Sequence, residues 1–129
     1  MKLPQVPISW GELFDKITIL EIKLENLREV NALKNVKLEY DQLYMIYNRN
    51  FYENENAKSL ITDLKIINQK LWDIEDKIRD KERNQTFDEG FIELARKVYF
   101  TNDERSRIKR NINEIFGSEL IEEKSYAQY

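Results

Sequence analysis

Leu13, Ile17, Leu20, Leu24 and Leu27 follow one another at alternating steps of four and three, an unbroken apolar seam. A strand would alternate at every second residue, so this spacing commits the segment to a helix that buries one side. The same step recurs downstream in Leu33, Val36, Tyr40, Leu43 and Tyr47. It is longest in Ala57, Leu60, Leu64, Ile67, Leu71, Ile74 and Ile78. Two shorter pieces follow, Phe91, Leu94, Ala95 and Val98, then Ile108, Ile112 and Ile115. With 3 glycines and 2 prolines in 129 residues, the chain lacks the turn residues that a sandwich or barrel consumes. The expected fold is all-α, an antiparallel bundle of four or five helices in a single domain spanning 1–129.

Local signals set the expected boundaries. Ser9 with Glu12 has capping-box spacing and opens the first helix after an N-terminal extension, 1–8. "EVNALKN" reads as a turn with Asn31 as stop or cap, and "YNRNFYENEN" as an exposed connection before a helix starting near Asn56. Thr86 with Glu89, and Thr101 with Glu104, repeat the box, so the spacing predicts a break and a fifth helix at Thr101. Gly117 suits a left-handed stop, leaving 118–129 as a tail. Ile19 and Ile22 lie off the first seam, so that helix is expected to be covered on two sides, by its own bundle or by a second copy. A homo-oligomer formed through helix one is the expectation.

The chemistry open to this chain is narrow. It has no cysteine and no histidine, which removes a disulfide framework, a thiolate nucleophile and the usual proton shuttle. A net charge of −3 gives no long-range pull on nucleic acid. In "TNDERSRIKRNIN" the cations divide between two faces, Arg105 and Lys109 on one and Arg107 and Arg110 on another, so no single basic stripe forms. Acids first and bases later is also the order the helix dipole favours. No signal core and no run of about 20 apolar residues occurs, so no membrane is expected and the chain reads as cytoplasmic. Gly11, Gly90 and Gly117 stand alone and offer no phosphate loop. Trp10, Trp72 and the tyrosines Tyr40, Tyr47 and Tyr99 read as packing residues with a polar tip.

What remains is a set of charged and polar side chains beside the apolar seams: Glu12, Asp15, Lys16 and Lys23 on helix one, Glu75, Asp76, Arg79 and Glu82 on helix three, and Arg105, Lys109 and Asn113 near the end. Unpaired charge at the edge of a core is costly, so these groups are expected to meet. The preferred reading is a structural ion-pair network. Glu12 with Asp15, and Asp73 with Asp76, have the spacing for a paired-acid Mg²⁺ site of the kind helical pyrophosphohydrolases use, but 24 acidic residues generate such pairs by chance. No metal or other cofactor is therefore assigned. Arg79, Arg96, Arg105 and Lys109 would suit a small anion, as in helical chorismate mutases, though the motif order differs.

"GELFDKITILEIK", "LKIINQKLWDIEDKIRDKE", "FIELARKVYFTNDERSRIKRNIN" and "EEKSYAQY" together resemble a family of small bacterial and phage proteins classed as a domain of unknown function. The resemblance runs from about Trp10 to Tyr129 and is weakest over 35–58. It brings no reaction or partner. It does imply a pattern of polar positions: Glu12, Asp15, Lys16, Lys23, Glu75, Asp76, Arg79, Arg96, Asn102, Asp103, Arg105, Lys109 and Asn113. The leading expectation is a non-catalytic interaction or regulatory protein. The rival is an enzyme or sensor for a small phosphate- or carboxylate-bearing metabolite, with Glu12, Asp15, Glu75 or Asp76 as acid–base or Mg²⁺ groups. Lys16, Arg79, Arg96, Asn102, Asp103, Arg105, Lys109 and Asn113 would then be its binders.

Overall fold

Ser9 starts the fold as the sequence pattern implies. Its backbone is extended, and its hydroxyl accepts the Glu12 N–H at 3.1 Å, which opens α1 (Trp10–Asn26). The computed structural model describes residues 1–50 and 54–129. All regular structure among them is helical, in four helices: α1, then α2 (Val30–Asn50), α3 (Glu55–Arg83) and α4 (Glu89–Phe116). No helix among the described residues is long and apolar enough to cross a membrane.

Several boundaries differ from the sequence expectation, each for a local reason. Glu29, not Asn31, begins α2: its carboxylate accepts the Asn31 N–H at 2.9 Å and the Ala32 N–H at 2.6 Å. Asn54 caps α3. Asp88 takes the role expected of Thr86, accepting the Phe91 N–H at 3.0 Å and holding Lys81 from the end of α3. The part of "YNRNFYENEN" at 51–53 lies outside the described residues.

The expected fifth helix is absent, because α4 runs unbroken through Thr101. Its inward positions continue at steps of four and three as Leu94, Val98, Thr101, Arg105, Ile108 and Ile112, all partly or wholly buried. The apolar pattern faded at Thr101 because the inward face turns polar, not because the helix ends. Gly117 closes α4 at φ 60°, with the Ser118 N–H on the Asn113 carbonyl and the Gly117 N–H on that of Glu114, the Schellman arrangement.

Helix α1 is the hub, packing against α2, α3 and α4, while α3 packs along α4. Leu13, Phe14 and Ile17 meet Leu64 and Ile112 in the buried core, with Trp10, Leu43, Tyr47 and Phe116 around it. Burying each such side chain stabilises the fold by about 1.5–3 kcal/mol. Trp10 stacks on Phe14 and Phe116, so it is a lid on the core, whereas Tyr99 and Ile115, expected to face inward, are exposed. At 1.5 Å per residue α1 is about 26 Å long and α3 about 44 Å, so the α3–α4 hairpin outruns α1 by about 18 Å. The named contacts of α1 with α4, at Lys109, Asn113 and Phe116, lie in the second half of α4. The surplus is therefore a two-helix arm ending at the 84–88 turn. Its inner residues Ile78, Phe91, Leu94 and Val98 are only half-buried, and Phe87 and Ile92 at its tip are exposed.

Candidate functional site

Helix α1 carries a second stripe, Gly11, Asp15, Thr18 and Ile22, at steps of four, three and four, and all of it is buried. Three of these four are not apolar, and each meets a polar partner on another helix or its own backbone. The Gly11 N–H, one of the donors a helix start leaves without an internal partner, donates to Asn113 Oδ1 at 2.6 Å. The two helices are so close that a Cβ on Gly11 would stand 2.6 Å from the Lys109 carbonyl oxygen. The Thr18 hydroxyl donates back to the Phe14 or Asp15 carbonyl, at 2.9 and 3.0 Å. Its lone pair then accepts from Asn68 Nδ2 at 3.0 Å, and the same Nδ2 donates to Asp15 Oδ1 at 2.9 Å.

Lys109 is the ionic centre. Its ammonium lies 2.8 Å from Glu12, 3.0 Å from Glu122 and 3.6 Å from Asp15. Burial alone pushes its pKa down, but the Glu12 hydrogen bond, the Asp15 charge and the Glu122 hydrogen bond together hold it above the ordinary lysine value. The Glu122 carboxyl is pulled down to about 2 by hydrogen bonds from Lys124 first and then Lys109. Glu122 belongs to the tail, which folds back along α4: Glu123 pairs with Arg110, and the Tyr129 hydroxyl donates to Asp103. That carboxylate raises the Tyr129 phenol to about 12. Among the described residues no buried side-chain nitrogen or oxygen lacks a hydrogen-bond partner.

The structure thus brings together Glu12, Asp15, Lys109 and Asn113, with Arg105 at 3.5 Å from Asn68 Oδ1. It does not bring in the rest. Lys16 is exposed. Glu75 and Arg79 pair with each other at 3.0 Å outside the network, and Asp76 is exposed beside them. Arg96 lies over the Phe100 ring, exposed, and Asn102 is half-buried one turn before the network. Among the described residues no three acidic side chains gather closely enough to hold a metal ion. Gly11, Thr18, Asn68 and Glu122 were not anticipated. The step of four and three through 11, 15, 18 and 22 was the signal for the first two, and Asn68 adjoins Ile67 on the α3 seam.

Beside the network, between α1, α3 and α4, opens a groove of about 400 Å³. Ile19, Leu71 and Trp72 supply its apolar lining, and Lys23, Arg79 and Arg105 reach it with Glu75 and Asp76.

No curated protein and no solved structure matches the chain. A family of unknown function, DUF6165, matches residues 4–129. That span takes in all four helices, the Lys109 cluster and the tail, and the chain belongs to this family.

Proposed function

We propose that the chain is a non-catalytic interaction protein that associates with a second copy of itself through the α3–α4 arm. The observation that carries this reading is the arm's unfinished interior. Two helices cannot enclose Ile78, Phe91, Leu94 and Val98, which stay half-buried, while Phe87 and Ile92 lie open. A second arm around a two-fold axis would complete a four-helix arrangement, the same patch serving both copies. The sequence had suggested helix one as the contact, but its two stripes are largely covered within the chain, which favours the arm.

The internal network supports the non-catalytic side of the reading. Glu12 and Asp15 are already engaged within the chain, by Lys109 and Asn68, and serve to join its helices. Glu75 is taken up by Arg79, and Asp76 stands exposed. Sedimentation velocity over a concentration series tests the proposal. The native chain is expected to associate, and Phe87→Lys with Ile92→Lys, both at exposed positions, to sediment as a folded monomer. A native chain that is monomeric throughout, or an association indifferent to the two lysines, would sink it.

A further inference from the structure

Lys58, Lys65, Lys81 and Lys109 are partly or wholly buried cations, and each holds a carboxylate. Lys23 and Arg105 are also partly buried, and neither forms an ion pair with any described residue. Both line the same groove, beside Trp72. Two unpaired cations at one groove, in a fold that otherwise pairs its partly sheltered cations, call for an explanation.

Arg105 is held there by construction. Thr18 gives its proton to a backbone carbonyl, so Asn68 must present its amide nitrogen to Thr18 and Asp15. Its Oδ1 is thereby turned toward Arg105, which it meets at 3.5 Å. One long bond uses a single donor of a guanidinium that has five. The remaining donors stay available on the groove side, in a fork that fits a carboxylate. Lys23, in the last turn of α1, stands across the same opening.

We propose that this groove binds a small monoanionic carboxylate with a planar apolar body, its oxygens held by Arg105 and Lys23 and its body laid against Trp72. The charge count selects the class. Lys23, Arg79 and Arg105 face Glu75 and Asp76, a formal excess of one positive charge that a single carboxylate balances and a dianion exceeds. The lining is mostly apolar, with Leu71 and Ile19 beside the indole, which suits a ring better than a sugar or a bare ion. The groove lies away from the arm's tip, so it and self-association can be tested separately.

The test is a titration of the full chain with naphthoate, followed through the indole N–H signals of Trp72 and Trp10 by NMR, with naphthylmethanol and naphthylmethylamine as uncharged and cationic counterparts. Naphthoate is expected to move Trp72 saturably and leave Trp10, which is packed in the core, in place. Arg105→Gln and Lys23→Gln should each weaken binding about tenfold, the size of one lost charge-assisted contact. Lys23 has no part in the buried network, so its substitution tests the site even if Arg105→Gln disturbs the fold. No saturable shift up to about 10 mM naphthoate would overturn the proposal, since a fragment with two charged contacts should bind by then. Equal binding of the alcohol or the amine, or a shift unaltered by both substitutions, would overturn it too.

Discussion

Gly11 sits where α1 and α4 come closest, and it does two things that no other residue type does there together. It leaves room for the Lys109 carbonyl, 2.6 Å from where a Cβ would stand, and it offers its N–H to Asn113. The obstacle is backbone and cannot rotate away, so the helices must part. Gly11→Ala is expected to destabilise the chain by about 1–3 kcal/mol, the usual cost of overpacking, despite alanine's better helix propensity. Urea unfolding checks this, and a neutral or stabilising result would mean the two helices have slack. Residues of this kind are hard to read in advance. Gly11 reads as an isolated glycine, and Thr18 draws no reading at all, until the positions 11, 15, 18 and 22 are seen as one stripe.

The elements themselves were legible wherever the inward face was apolar. The seams of α1, α2 and α3 were read with their period intact, and Gly117 as the stop of α4 is as expected. The reading failed at Thr101, where Thr101 and Arg105 occupy inward positions of a continuous helix and their polarity mimicked an end. It also could not assign partners: Arg79 and Arg105 both flank apolar seams, yet one pairs outside with Glu75 and the other reaches Asn68. The tail is the element held most by charge. Glu122 titrates at about 2 in the folded chain against an ordinary 4.5, so its contribution is complete above pH 4.5 and disappears as pH falls toward 2. The stability difference between the native chain and Glu122→Gln should follow that course. A difference that persists unchanged at the acid end would mean the tail is held by something other than this carboxylate.

For the whole molecule, Lys109 joins three separate pieces, α1 through Glu12 and Asp15, α4 on which it stands, and the tail through Glu122. Lys109→Met would leave Asp15 enclosed without its cation, a change that costs about 3–5 kcal/mol when a buried pair is broken. Adding Asp15→Asn keeps an acceptor for Asn68 Nδ2 while removing the stranded charge, so the double variant should recover much of that loss. Equal destabilisation in the single and double variants, measured by urea unfolding, would show that the charge is not the cause.

The bond from Gly11 to Asn113 spans 102 residues, nearly the length of the chain. A ribosome delivers α1 before α3, and α3 before the end of α4. Until then Asp15 lacks Lys109 and Gly11 lacks Asn113, although α3 has already brought Asn68 to Asp15 and Thr18. The nascent protein must wait, half-assembled and wetted along its central helix, until the closing residues emerge.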